Sequence, residues 1–184
     1  MPYSLFRPAI ALILVFLAIG CSQKDSVYKP VSASDSSRVI EGVPFVKQKD
    51  KFCGPAALAS VMRFYGQNIN QEEIADGVYT PQLEGALISD MAYYATEMGY
   101  RAETKSGDIN LLISLIDEGV PTIVLVDLGK WVVSVPHYYV IYGYDKNRDT
   151  FLLHTGFQGN RETGFEELDK EWEKMNRLLL VVRK

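Results

Sequence analysis

The chain has 184 residues, 47% of them hydrophobic, and a formal net charge of −4. That length supports one compact body with a sizeable core. An acidic balance with no basic stripe gives nucleic acid no footing, and no repeat of 20 to 50 residues suggests a solenoid.

Residues 1–20 are set apart from the rest. "MPYSLFRPAIALILVFLAIG" carries one positive charge at Arg7, an apolar run from Ala9 to Ile19, and a small Gly20 before Cys21. The run is shorter than the roughly 20 residues of a spanning helix and fits the core of a signal peptide. The ending "LAIGC" followed by Ser22 resembles the lipobox of bacterial lipoproteins. That resemblance implies cleavage before Cys21 and acylation of its sulfur. Ser22, where an Asp would argue for the inner membrane, favours the outer one in a Gram-negative cell. The alternative is a plain secretory signal or an uncleaved anchor. The expected location is the bacterial cell envelope, with a lipid anchor and the body facing the periplasm. Residues 21–37, polar and serine-rich, read as a flexible tether, and residues 38–184 as the folded domain. With Cys21 acylated, Cys53 is the only thiol of the mature protein, and a lone thiol in an oxidising compartment is a liability unless it does something.

Along the domain, "RVIEGVPFV" reads as a short strand or extended segment with Pro44 at its edge. Helices follow. "GPAALASVMRFYG" has Pro55 just inside its start and Gly66 at its stop, with Ala57, Val61 and Phe64 on one stripe and Leu58 and Met62 beside it. "NQEEIADGV" offers Asn70 as a cap with Glu73 three residues on. "GALISDMAYYATEMG" places Leu87, Met91, Tyr94 and Met98 at helical spacing and ends on Gly99. "GDINLLISLIDEG" starts from Asp108 and stops at Gly119. The period then changes. "PTIVLVDLG" is a buried strand, "HYYVIYGYD" and "TFLLHTG" form a hairpin across "DKNRD", "GFEELDKEWEKMN" is a short helix, and "RLLLVVRK" is a last strand. Helices first and strands afterwards is an α+β order, with an antiparallel sheet.

The chemistry rests on Cys53, His137 and His154. Thiolate chemistry needs a base within reach and a group to orient that base. Cys53 stands at a helix start, where free N–H groups and the macrodipole favour a thiolate. His137 opens a strand far downstream, and such a pair can meet in the fold. These residues alone leave an inert buried cysteine open. One Cys and two His are too few for a closed zinc set without a carboxylate, so no metal and no cofactor is expected.

The context adds to this. "QKDKFCGPAAL" and "HYYVIYGYD", with the "L…G.P.IV" segment between them and the "F..L...W" tail, resemble the double-glycine, bacteriocin-processing cysteine peptidases and their stand-alone relatives over residues 40 to 184. The resemblance implies a papain-like fold and a peptide or protein substrate. It makes Cys53 the nucleophile, His137 the base and Gln48 an oxyanion donor alongside the backbone N–H of Cys53. Gly54 then either leaves room for substrate at the first helical turn or eases the start of the helix. The family's orienting Asp or Asn falls at or next to His154, which is taken as the third member; Asp145 and Asp149, in the hairpin turn, are poorer substitutes. The departure keeps two alternatives in view. One is a peptidoglycan endopeptidase of the NlpC type, whose D-C-S-G context "KFCGPAA" does not match. The other is an inactive tethered binding module. No G-x-x-x-x-G-K-[ST] motif is present, so the chain is not expected to be an exporter itself.

Overall fold

The structure, a computed structural model, describes Met1 and residues 36–184. The signal segment, the Cys21 lipidation site and nearly all of the tether lie outside the described residues. Among the described residues no helix is long and apolar enough to cross a membrane.

The domain opens with β1 (Ser37–Val39) and an extended stretch, then α1 (Cys53–Phe64) and α2 (Gln71–Val78). A two-stranded ribbon of β2 (Tyr79–Thr80) and β3 (Gly85–Ala86) leads to α3 (Ile88–Glu97). After these come β4 (Arg101–Ser106), α4 (Ile109–Asp117), β5 (Thr122–Asp127), β6 (Pro136–Asp145), β7 (Thr150–His154), β8 (Arg161–Gly164), α5 (Phe165–Glu173) and β9 (Leu178–Arg183). The main sheet is seven-stranded in the order β4-β9-β5-β6-β7-β8, with β1 also pairing β6, and its pairings are antiparallel. This is the expected α+β arrangement of helices against an antiparallel sheet.

The central helix is more deeply placed than one stripe implies. Every residue from Gly54 to Met62 is buried, as in a helix enclosed on all sides. Ala56, Ala57 and Ala59 keep its wall thin, so it packs closely on β6, while Leu58, Val61 and Met62 fill the core. Truncating a side chain such as Leu58 to Ala costs about 2–5 kcal/mol. The caps are as read: Asn70 Oδ1 accepts from Glu73 N at 2.9 Å, and Asp108 Oδ1 from Leu111 N at 2.8 Å.

One expectation is corrected, and two further strands are present. The third helix begins at Ile88, because Gly85–Ala86 pairs with Tyr79–Thr80; Leu87 and Met98 flank it exposed, and Met91 and Ala95 are its buried residues. The strand β4 had no apolar run to reveal it: Arg101–Ser106 is an edge strand on β9 with charged side chains outward. The strand β8, "RETG", is equally silent in sequence and pairs β7.

Candidate active site

The segment before α1 is braced from outside. Gln71 of α2 accepts from Lys49 N through Oε1 at 2.8 Å and donates from Nε2 to Lys47 O at 2.9 Å. The chain then turns through Lys51 at φ 62° and reaches the cap residue, Phe52, which makes no side-chain cap. A helix begun this way leaves its first N–H groups free for another partner. Cys53 is the first helical residue, and backbone N–H groups of Gly54, Tyr138 and Cys53 itself favour its thiolate. Burial works the other way and dominates, so the thiol is held above its ordinary value. The helix start therefore does not by itself lower the cysteine, contrary to the expectation from position. Among the described residues no charged group stands against the sulfur to offset its desolvation.

Tyr138 joins the helix to β6. Its hydroxyl donates to Ala86 O at 2.9 Å. A Cβ at Gly54 would meet Met91 Sδ at 2.9 Å, Ala86 Cβ at 3.1 Å and Tyr138 Cε2 at 3.3 Å. Gly54 is thus a packing glycine that lets β3, α3 and β6 close on the helix start; substrate access is not what it secures.

The first residues of β6 therefore lie against the first residue of α1, with His137 adjacent in the chain to Tyr138. The His137 Nε2–H donates to Thr155 O at 2.6 Å. Because a carbonyl only accepts, Nε2 carries the proton and Nδ1 is the basic nitrogen of the neutral ring. Phe157 stacks on the ring at 5.5 Å and 11°, and Tyr139 meets it edge-on at 5.5 Å. Burial pushes the imidazole below its ordinary value, with the bond to Thr155 opposing. Among the described residues the sulfur and the imidazole are not hydrogen-bonded to each other. Such contacts often tighten only when substrate is bound.

His154 does not orient His137, and this corrects the expected third member. Its Nε2–H donates to Val43 O at 3.1 Å and its Nδ1 accepts from Asn160 N at 3.2 Å, so both ring nitrogens are occupied elsewhere. Register explains why: His154 pairs with Val140, three residues beyond His137. Its ring packs on Phe45 and Tyr142, fastening the segment before α1 to the β7–β8 turn. The orienting atom is the backbone carbonyl one residue later. The Thr155 hydroxyl is used locally, accepting from Phe157 N at 3.3 Å and Gln158 N at 3.0 Å, which shapes the turn and aims that carbonyl. Asp145 is engaged with Arg148 in the hairpin turn.

Gln48 is brought to the same place. Its backbone N–H donates to Gly156 O at 2.9 Å. Its Oε1 is buried with no hydrogen-bond partner among the described residues. Gly156, at φ 83°, lies so close that a Cβ would meet Oε1 at 2.3 Å. A cavity of about 10 Å³, lined in part by Cys53, Ser60, Tyr138, His154 and Gly156, lies at this junction. It has room for about one water, so a peptide would have to lie outside it. Among the described residues no group of His, Cys, Asp and Glu is arranged to hold a metal ion. Thr155 and Phe157 are the members that the sequence left unnamed; the first lay next to a flagged position, and the second had no signal.

Residues 40–180 match the peptidase C39-like family. The chain belongs to the peptidase C39-like family. Among solved structures it is similar to the peptidase domain of Streptococcus ComA, a bi-functional ABC transporter involved in a quorum-sensing pathway. Identity there is 26%, coverage 77% of this chain and 98% of that one, and the TM-score 0.65. A C39-like peptidase from Bacillus anthracis aligns at 17% identity over 80% of this chain and 98% of its own, with a TM-score of 0.67. A double-glycine-motif protease of an AMS/PCAT transporter, solved in complex with its leader peptide, aligns at 20% identity over 80% and 97%, with a TM-score of 0.61. The last two speak to the fold alone. No curated protein matches the chain.

Proposed function

We propose that this C39-like chain is a cysteine peptidase of the double-glycine type, held at the bacterial envelope through lipid on Cys21 and facing the periplasm. The observation that carries the reading is the juxtaposition of the α1 start with the start of β6, where His137 is held through Nε2 by Thr155. His137 Nδ1 takes the proton of Cys53 as the sulfur attacks the peptide carbonyl. The developing oxyanion is met by the Gln48 amide and the backbone N–H of Cys53. Collapse to a thioester expels the amine, protonated by His137, and water then releases the acid by the same route in reverse. Loss of one oxyanion donor typically costs about 3 kcal/mol of transition-state stabilisation. The leader peptide bound by the AMS/PCAT protease supports a peptide substrate here as well.

The test is capture of an acyl-enzyme on Cys53 from native envelope extract, with identification of the attached peptide. A thioester absent from wild-type protein but present on an unrelated thiol control would count against the reading. One observation favours a second reading, an inactive tethered binding module: a backbone carbonyl orients His137 where the resemblance implies an Asp or Asn side chain. In that case peptide is retained without cleavage and without a covalent adduct. Zymography on purified cell wall separates both from a peptidoglycan endopeptidase.

A further inference from the structure

The connection between β5 and β6 ends just before His137 and carries an apolar tip that nothing in the reaction above uses. Trp131 is 101% exposed, Val132 99% and Val133 63%, with Val135 at 47%. The exposure belongs to a built loop. Asp127 Oδ1 accepts from Gly129 N and Val135 N, each at 2.7 Å, and Oδ2 accepts from Ser134 Oγ at 2.9 Å. Lys174 of α5 donates to Asp127 O and Gly129 O at 3.3 and 3.1 Å. The neck is so tight that a Cβ at Gly129 would fall 1.8 Å from Val133 O.

We propose that Trp131–Val133 inserts into the lipid bilayer and seats the active-site end of the domain on the membrane. This rests on the envelope-anchored reading. Trp131 and Val132, exposed on all sides, form a projection. Trp beside Lys130, with Lys174 at the neck, is the residue mixture that settles at a lipid headgroup boundary. The loop's carboxylate, Asp127, is turned inward onto loop N–H groups. The overall charge of −4 makes this uncharged and basic tip a local exception.

Chain length permits both contacts at once. β1 pairs with the Asp145 end of β6, so the tether leaves about 30 Å from Pro136 along that strand. The residues from Cys21 to Ser37 can span at most about 55 Å. The anchor alone sets no orientation. With the tip seated, Cys53 is held near the headgroups, and the peptide it meets is one lying on or emerging from the membrane.

The chain has two tryptophans, and Trp172 is fully buried with its indole N–H on Leu178 O, so Trp131 reports alone on its surroundings. Full-length protein reconstituted in phosphatidylethanolamine–phosphatidylglycerol vesicles with acyl-brominated lipid should show blue-shifted and quenched Trp131 emission. Both effects should be lost when Val132→Asp and Val133→Asp are combined, and Trp131→Phe should leave only lipid-insensitive emission. Vesicle-bound protein with water-exposed, unquenched Trp131 overturns the loop proposal and leaves the anchor standing. Protein that fails to sediment with vesicles overturns both. A blue shift that needs no lipid and grows with protein concentration means self-association, and also overturns it.

Discussion

The Nε2–H of His137 donates to the carbonyl oxygen of Thr155 at 2.6 Å, beneath the stacked ring of Phe157. A carbonyl fixes the tautomer and the plane of the imidazole as a carboxylate would. It does not supply the negative charge that would stabilise an imidazolium. Together with burial of both partners, this leaves thiol and imidazole neutral in the resting site, with the cysteine raised and the histidine lowered.

A neutral pair has a distinct pH signature. Iodoacetamide labelling of Cys53 should rise with a midpoint above that of an ordinary cysteine, about 8.5. Turnover should keep its acid limb below the ordinary histidine value of about 6.5, because the base must be unprotonated and its affinity for the proton is lowered. His137→Ala should slow labelling at neutral pH at least about tenfold, within the range of general-base effects. A labelling midpoint below that of free cysteine would falsify the neutral resting pair.

The Thr155 position tests how the ring is held. Thr155→Val removes the hydroxyl that accepts from Phe157 N and Gln158 N. It should cost about 1–3 kcal/mol and lower kcat as the carbonyl loses its aim. Thr155→Asp can accept the same N–H groups, since Asp makes similar turns, and brings a negative charge toward His137. That charge raises the imidazole, so the acid limb of turnover should move to higher pH. Thermal melts and pH–rate profiles on the two variants decide it; an unmoved limb in the Asp variant would place the carboxylate out of reach of the ring.

Gln48 separates function from stability. Its Oε1 is buried without a partner among the described residues, a cost to the fold of about 1–3 kcal/mol that Gln48→Ala removes. The Ala variant should melt no lower than wild type and yet lose about 10²–10³-fold in kcat. Gly156→Ala should lose activity by displacing the same amide, and should melt lower because φ 83° disfavours a side chain. A Gln48→Ala enzyme with wild-type kcat would remove Gln48 from the reaction.

His154 should matter to the fold alone. Burial pushes both histidines below their ordinary value. Above about pH 6.5 neither state of the protein carries the extra protons. Below it the unfolded chain binds protons that the folded one resists, so stability falls as pH drops toward the folded values. His154→Phe leaves Val43 O and Asn160 N without their partner and should cost about 1–3 kcal/mol. It should also flatten the acid side of the stability curve while leaving the acid limb of turnover in place. A limb that shifts with this variant would return His154 to the reaction.

Much of this was written locally. The α1 start at Cys53, the caps at Asn70 and Asp108, the buried β5 run and the β6–β7 hairpin each follow from spacing within one segment. The candidacy of Cys53 and His137 was strengthened, and that of Gln48 supplied, by the family resemblance of the motifs around them. What failed locally had no local signal. β4 and β8 are strands because β9 and β7 present open edges to polar segments that would not otherwise be extended.

The orienting role is the sharpest case. Sequence brought the position to His154 or its neighbour and could go no further, because adjacent residues of a strand point to opposite faces and a backbone carbonyl has no residue type to recognise. The pairing of His154 with Val140 commits that ring to Val43 and Asn160, and the turn beyond it presents the Thr155 carbonyl to His137. Residue identity determined which groups were able to react; strand register, a long-range property, decided which of them meet.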